Sequence, residues 1–593
     1  MRRSGPKHAT AKPDRMPIIS GEETNISSGK FAVAAFGQRH FILFIFFASF
    51  LYYALSRTIF ERFQTQSKES PVSNVITQCS KARDGLGLDG IESSCPTEVV
   101  RILEYCNAGT STQPGYEGRT SSSGRNNFYS SSRFEMIHLA LLIRHGDRSA
   151  ISAIPGSIND APDSTTTLQN AKADNIYLDP RALNYKLKLH NYALKMLPAS
   201  EARAASLLPK LLDEAVRVGP DPRPMSDALN PAAIFKTPDF HLPPGQLTTR
   251  GFMQHVHLGS ALAQAYQPFL QKHVVTPSNV FVRSTNYNRT IQSAAALLLG
   301  MLPDLGGSDH PIIINAFDSE VVEVMHGVSH GATGACNAAV KAAKQEKDLF
   351  QLPKNILERL QELFAQVPAG SSSVESSRSI RPGLVQKSFI TDITDAALPK
   401  LCHNLPLPCG QTPTQCMTEE DLGLLMWQAD RAFCNRYAGL NGGRDSTKIN
   451  AFPFLNEIMD VLTVAGKKNY EKGSGDNAGK DQLISSKLSV FSGHDTVIAP
   501  VLEGLGLYKG QHCGWPRYAA RIAFELWHKF DSSISDKNRE QLYVRVIYNG
   551  EDLTGAIPAC EGNVPCPLES LRAAIQGLLQ PATSLREACE YVV

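Results

Sequence analysis

Three short stretches of this chain gather side chains able to do chemistry: Arg144-His145-Gly146-Asp147-Arg148, Arg283-Ser284-Thr285-Asn286 and Ser492-Gly493-His494-Asp495. Arg144, Arg148 and Arg283 offer planar cation forks whose donors match phosphate oxygens. His145 and His494 attack or donate near neutral pH. Asp495 is a carboxyl that carries one proton. Cation forks, a nucleophile and a general acid make a complete set for phosphoryl transfer, a reaction governed by positioning and charge neutralisation. Guanidinium groups can supply that charge without a metal, and the sequence holds no convincing metal-ligand cluster, so neither metal nor cofactor is expected. A lone Arg or Asp in such a loop is more often a surface charge. The weight comes from recurrence.

Each cluster closes a short apolar run. Leu139–Ile143 precedes the first, Val280–Val282 the second and Leu488–Phe491 the third. The second and third are followed by helix-like segments, IQSAAALLLGML and TVIAPVLEGLGL. Continuous apolar runs alternating with helices predict an α/β fold, a mostly parallel central sheet flanked by helices. In such sheets ligands bind beyond the carboxyl ends of the strands, where all three clusters sit. Toward the end of the chain, AARIAFELW and LYVRVIYNGEDL alternate like strands, the second running into an Asn549-Gly550 turn.

At 593 residues the chain exceeds one ordinary core, so two domains or one domain with large inserts is expected. A formal net charge of +2 gives no overall basic excess with which to neutralise nucleic acid, so no such partner is expected. Residues 41–55, FILFIFFASFLYYAL, carry no charge. As a helix this run covers roughly 22 Å, short of the about 30 Å hydrocarbon core, but flanking Arg39, His40 and Arg57 reach outward. The basic bias of Arg2, Arg3, Lys7, Lys12, Arg15, Lys30 and Arg39 keeps the amino terminus cytosolic. The reading is a cytosolic tail at 1–40, an uncleaved transmembrane signal-anchor at 41–56, a lumenal stem at 57–133 and an enzyme domain at 134–593. Inserts near 152–240 and 303–400 would build a smaller, mainly α-helical subdomain. A cleaved signal peptide at Ala54-Leu55-Ser56 is the rival, weakened by a forty-residue leader. All twelve cysteines, from Cys79 to Cys589, come after the anchor, as disulfides in an oxidising lumen require. Zinc at Cys402, His403, Cys409 and Cys416 is the alternative, disfavoured because the spacing matches no CxxC-type pattern.

Arg144-His145-Gly146-Asp147-Arg148 with a distant His494-Asp495 resembles the RHGxR…HD pattern of the histidine acid phosphatases. GQLTTRGFMQHVHLG (245–259), FVRSTNYNRTIQSA (281–294), GHDTVIAPVLEGLGL (493–507), VIYNGEDLT (546–554) and CPLESL (566–571) resemble family segments in the family's order, across roughly 134–590. LCHNLPLPC (401–409) and PRYAARIAFELW (516–527) are similar to the membrane-anchored 2-phosphoxylose phosphatase branch. Ala150 stands where the family usually has proline, which puts the stiffness of that loop in question. The resemblance implies His145 as nucleophile passing through a phosphohistidine and Asp495 as proton donor. Arg144, Arg148, Arg283 and His494 would bind the phosphate. It implies a substrate in the phosphorylated xylose of the glycosaminoglycan–protein linkage region of proteoglycans, and a single-pass type II place in the Golgi membrane.

A broad acid phosphatase or phytase-like hydrolase is the alternative within enzymes, and an inactive anchored phosphosugar-binding protein the alternative outside them. His138, His255 and His257 read as structural or surface residues, and Arg289 as part of a helix-start salt bridge. Asn288-Arg289-Thr290 is a glycosylation sequon beside the second cluster, and Asn25-Ile26-Ser27 is one in the cytosolic tail.

Overall fold

The computed structural model describes residues 134–151, 191–197, 245–306, 310–317, 323–326, 387–403, 406–410, 415–438, 443–466, 486–530, 541–561 and 565–590, with short pieces at 101–102, 105–106, 223–224, 358–360 and 363. The transmembrane segment expected at 41–56 lies outside them. Among the described residues no helix is long and apolar enough to cross a membrane.

Strand β1 (Phe134–Arg144) is fully buried from Leu139 onward, as a strand covered on both faces must be. The others are β2 (Tyr192–Leu197), β3 (Arg223–Pro224), β4 (Val280–Ser284), β5 (Ile312–Phe317), β6 (Leu488–Gly493), β7 (Arg521–Lys529), β8 (Gln541–Tyr548), β9 (Glu551–Asp552) and β10 (Cys566–Pro567). They form one sheet in the order β10-β8-β7-β1-β6-β4-β5-β2-β3, with β9 on β8. β1, β6, β4, β5 and β2 run parallel, and β7 turns the sheet antiparallel against β1. The register sets Arg144 beside Gly493 and Ser284 beside Ser492. The three clusters therefore leave the sheet at one edge, as the apolar runs predict.

Helices α1 (Thr249–Ala265) and α2 (Asn288–Met301) pack on each other through glycines. A Cβ on Gly259 would meet the Leu297 carbonyl oxygen at 2.0 Å, and one on Gly300 the Val256 carbonyl at 2.0 Å. Helices α3 (Lys387–Cys402), α4 (Glu419–Ala438) and α5 (Gly443–Gly466) form the helical part, and α6 (Asp495–Gly504) comes directly after the third cluster. Asn549 and Gly550 both hold positive φ, 48° and 94°, closing the two-residue turn between β8 and β9.

Two boundaries differ from the sequence reading. Tyr192–Leu197 inside the supposed insert 152–240 is a strand of the main sheet, parallel to β5. Its YALKML lacks the alternation that marks a strand. The segment SEARAASLLPKLLDEAVRV lies outside the described residues. Tyr105 and Cys106, inside the supposed stem, belong to the buried core. A disulfide from Cys106 to Cys402 and ring contacts from Tyr105 to Trp515 and Tyr518 draw them in.

Disulfides also join Cys409 to Cys416, Cys434 to Cys513 and Cys560 to Cys566. Cys402, Cys409 and Cys416 are thereby committed to sulfur, and His403 instead meets the Asp147 carboxylate, so the zinc alternative falls.

Candidate active site

The turn after β1 is built on glycine. A Cβ on Gly146 would lie 2.3 Å from the Gly251 carbonyl oxygen, and one on Gly251 would lie 2.1 Å from that of Asp147, so loop and α1 approach backbone to backbone. Gly146 N–H donates to Ser293 Oγ and Asp147 N–H to Gln254 Oε1. The buried Asp147 carboxylate accepts from the Thr248 hydroxyl and the His403 ring. Asp147 is thus a brace for the loop. His255 Nε2–H donates to the Arg144 carbonyl at 3.0 Å, and His138 pairs with Ser489 at 3.2 Å, both buried, which bears out their structural reading. At Ala150, where proline is absent, the flanking Ser149 and Ile151 N–H groups donate to Gln246 O and the Asp395 carboxylate, so hydrogen bonds supply the restraint.

His145 accepts its orientation from its own neighbour. Nδ1 lies 2.8 Å from the Gly146 carbonyl, an acceptor, so Nδ1 carries the proton and Nε2 keeps its lone pair. Burial, then Arg144, Arg289, His494 and Arg148, hold the ring well below the usual histidine range, and so neutral.

Arg144 is fully buried, with Nη2 2.6 Å from Asp495 Oδ2, and its guanidinium stands 4.7 Å from the Tyr518 ring centroid and 5.2 Å from that of Tyr105. Arg148 forks onto Asp395, 2.6 Å and 3.3 Å. His494, the residue before α6, places Nε2 3.0 Å from Thr285 Oγ1 and Nδ1 3.5 Å from Arg289. The Thr285 hydroxyl spends its proton on Thr290, so His494 Nε2–H donates to Thr285 and Nδ1 faces Arg289 as an acceptor. Its ring meets those of His145, Tyr287 and His326 at 5.4, 4.9 and 5.6 Å. Burial, followed by Arg289, His326 and Arg144, keeps His494 neutral as well.

Asp495 opens α6. Its Oδ2 accepts from Trp515 Nε1–H at 2.7 Å beside Arg144, and Oδ1 accepts from Thr496 N–H at 2.8 Å. Burial raises this carboxyl, but Arg144, Trp515, Arg148 and Thr496 outweigh it and hold the acid below the ordinary carboxylate range.

Arg283 does not join this cluster. It lies inside β4, over the Phe491 ring, with its guanidinium on Glu457 and, at 3.3 Å, on Glu323. A strand residue before the strand's end points into the layer beneath the sheet, and there two buried carboxylates consume its charge. The third cation of the cluster is Arg289, which the sequence reading set aside. It sits in the first turn of α2 at the sheet edge, stacked 4.4 Å over Tyr287 and beside His494. Burial and the neighbouring Arg148 push its pKa down to about 10. The available signal was positional: Arg283 sits within an apolar strand, Arg289 in the loop-to-helix turn where ligands are met. Asn288 is exposed at the start of α2, and its sequon hydroxyl, Thr290, is buried and hydrogen-bonded.

Arg144, Arg148 and Arg289 each bury an Nε–H that has no acceptor among the described residues. Two carboxylates, Asp495 and Asp395, balance two of these three cations, leaving one positive charge beside a neutral, correctly tautomerised histidine. That arrangement suits an incoming phosphate dianion.

A family model described as the histidine phosphatase superfamily (branch 2) matches residues 135–549. The chain belongs to that superfamily. The Danio rerio protein named 2-phosphoxylose phosphatase 1 is 25% identical over 554 residues, 88% of this chain and 94% of that relative. The Homo sapiens protein of the same name is 25% identical over 560 residues, 90% and 94% of the two chains. Lysosomal acid phosphatase of Bos taurus is 26% identical over 328 residues, 55% of this chain and 68% of that one. Among solved structures, the apo phytase of Hafnia alvei aligns with a TM-score of 0.41 at 15% identity, over 77% of this chain and 99% of the phytase. This histidine phosphatase is a phosphoric monoester hydrolase.

The two arginines of FVRSTNYNRT separate by experiment. Arg283→Met leaves Glu323 and Glu457 buried without a counter-charge and should cost about 3–5 kcal/mol in chemical unfolding, with inorganic phosphate inhibiting the folded fraction as before. Arg289→Ala should keep the unfolding midpoint and weaken phosphate inhibition at least about tenfold. Burial pushes Glu323 up to about 7, against the pull of Arg283, from an ordinary 4.5. Its contribution to stability is therefore full below 4.5 and lost as pH rises through about 7, a loss that Glu323→Gln should abolish.

Proposed function

We propose that this hydrolase works through a phosphohistidine on His145 and removes the phosphate from a phosphorylated xylose in the glycosaminoglycan–protein linkage region of proteoglycans. The observation that carries the mechanism is the His145 Nδ1–Gly146 carbonyl bond, which leaves Nε2 unprotonated on a buried ring that feels the charges of three arginines. Nε2 attacks phosphorus while Arg144, Arg148 and Arg289 hold the non-bridging oxygens, and the P–O bond to the sugar breaks. A proton passes from Asp495 to the leaving sugar oxygen, and the resulting carboxylate then draws a proton from the water that cleaves the N–P bond.

Charge balance explains how an acid held ionised in the free enzyme comes to carry that proton. A dianion added to one excess positive charge leaves the site negative by one, and proton uptake by Asp495 restores neutrality. His494 Nδ1, an acceptor in the free enzyme, becomes a donor to phosphate if it is protonated in the same way.

The substrate assignment is supported by the relatives named 2-phosphoxylose phosphatase 1, which match this chain across nearly nine-tenths of its length. The place we assign, a single-pass type II protein with its catalytic domain in the Golgi lumen, is supported by the uncharged run at 41–55, the basic tail before it and the disulfides after it. The purified lumenal part, given phosphoxylosyl linkage oligosaccharides, simple sugar phosphates and inositol phosphates, should release phosphate fastest from the first. Preference for inositol phosphates would overturn the xylose assignment in favour of a phytase-like hydrolase.

A further inference from the structure

The Asp495 carboxyl is held from behind by a tryptophan whose every side is gripped. Trp515 Nε1–H points at Asp495 Oδ2, 2.7 Å away. Its ring stacks on Phe433 at 5.0 Å and 11° and meets Tyr105 edge-on at 5.4 Å. Its backbone N–H donates to Asp430 Oδ1 at 2.7 Å, and its carbonyl accepts from Arg101 at 2.6 Å. Arg101 in turn forks onto both oxygens of Asp430, 2.6 and 2.8 Å. A disulfide ties Cys513 to Cys434, and Tyr508 O–H donates to the Gly514 carbonyl. Asp430, Phe433 and Cys434 lie at i, i+3 and i+4 on α4, so one helix face grips residues 513–515.

We propose that Trp515 is a positioning residue for the proton donor: its indole N–H pins Oδ2 of Asp495, so that Oδ1 is the oxygen that carries the proton and meets the leaving group. The inference rests on Asp495 acting as that donor. Oδ2 is already ion-paired with the Arg144 guanidinium and accepts from the indole, whereas Oδ1 accepts from a single backbone N–H. The proton therefore settles on Oδ1. Without the indole the carboxyl rotates about its Cβ–Cγ bond, and either oxygen takes the proton in a less favourable place. An N–H donated to the carboxylate also stabilises the ionised form, so its removal raises the affinity of Asp495 for a proton.

The test is Trp515→Phe, which keeps an aromatic ring against Phe433 and Tyr105 and deletes the N–H. With a sugar phosphate, kcat should fall about tenfold or more, and the basic limb of its pH profile should move up by about one unit. With an activated aryl phosphate, whose leaving group needs little protonation, kcat should change by less than about threefold. In an Asp495→Asn background the same replacement should add nothing on either ester. Arg101→Met, which loosens the Trp515 backbone and leaves the indole intact, should lower kcat for the sugar phosphate in the same direction, and it carries the test if Trp515→Phe does not fold. Equal losses on the two esters, or a basic limb that stays in place, would overturn the positioning role. Should Asp495→Asn itself spare the difference between sugar and aryl esters, the proton-donor reading fails instead, and the two failures are thereby distinct.

Discussion

His145→Ala should lose at least about 10⁴-fold in phosphatase activity on every ester, because the proposed mechanism forms its covalent intermediate on this ring. The two neighbouring candidates are spoken for: His494 is bound to Thr285 and Arg289, and His326 is stacked behind it. The variant should still bind inorganic phosphate, since the guanidinium groups of Arg144, Arg148 and Arg289 are unchanged. A thermal-shift titration with phosphate would confirm that the cluster survives. Quenching the parent enzyme in alkaline denaturant during turnover should yield an acid-labile, alkali-stable phosphoenzyme, and the variant should yield none. A His145→Ala protein with substantial activity would remove the mechanism altogether.

Asp495→Asn should divide substrates by their leaving groups. A sugar oxygen is a poor leaving group and needs its proton, so we expect a loss of about 10²–10⁴-fold there. An activated aryl phosphate should lose only on the order of tenfold in the first step, and its phosphoenzyme should accumulate because the carboxylate that assists water is gone. The same group sets the pH dependence. On the proposed mechanism Asp495 is protonated when the P–O bond breaks, so the parent enzyme's kcat on a sugar ester should fall as pH rises through the pKa of Asp495 in the complex. In the free protein Arg144 and Trp515 hold that pKa below the ordinary carboxylate range, and a bound dianion should pull it back up. The asparagine variant should lack this basic limb. Equal losses on aryl and sugar esters would count against Asp495 as proton donor.

The pattern of apolar runs and polar loops places the sheet and one end of it. Leu139–Ile143, Val280–Val282 and Leu488–Phe491 are apolar without interruption because strands covered on both faces have no side to expose, and the polar loops after them must emerge together at the carboxyl edge. This pattern carries His145, Arg144, Arg148, His494 and Asp495 to one edge, and in the structure Arg144 meets Asp495 and His145 meets His494 there. It also ordered the chain into a histidine phosphatase fold, through motifs spaced over more than four hundred residues. It failed for Arg283 because side-chain direction alternates along a strand: one position before the end is enough to turn a guanidinium away from the edge and onto Glu323 and Glu457. Only the tertiary structure chose Arg289 in its place.

Long-range contacts were equally out of reach. Arg148 meets Asp395 across 247 positions, Arg101 meets Asp430 across 329 and Cys106 bonds Cys402 across 296. Local periodicity says nothing about partners so distant, since it records which face of an element is buried and not what covers it. Trp515 shows the same limit most plainly. In sequence it is an aromatic in a loop, twenty residues past Asp495. Its role exists only because α4 carries Asp430, Phe433 and Cys434 on one face and sets the indole N–H against the carboxylate.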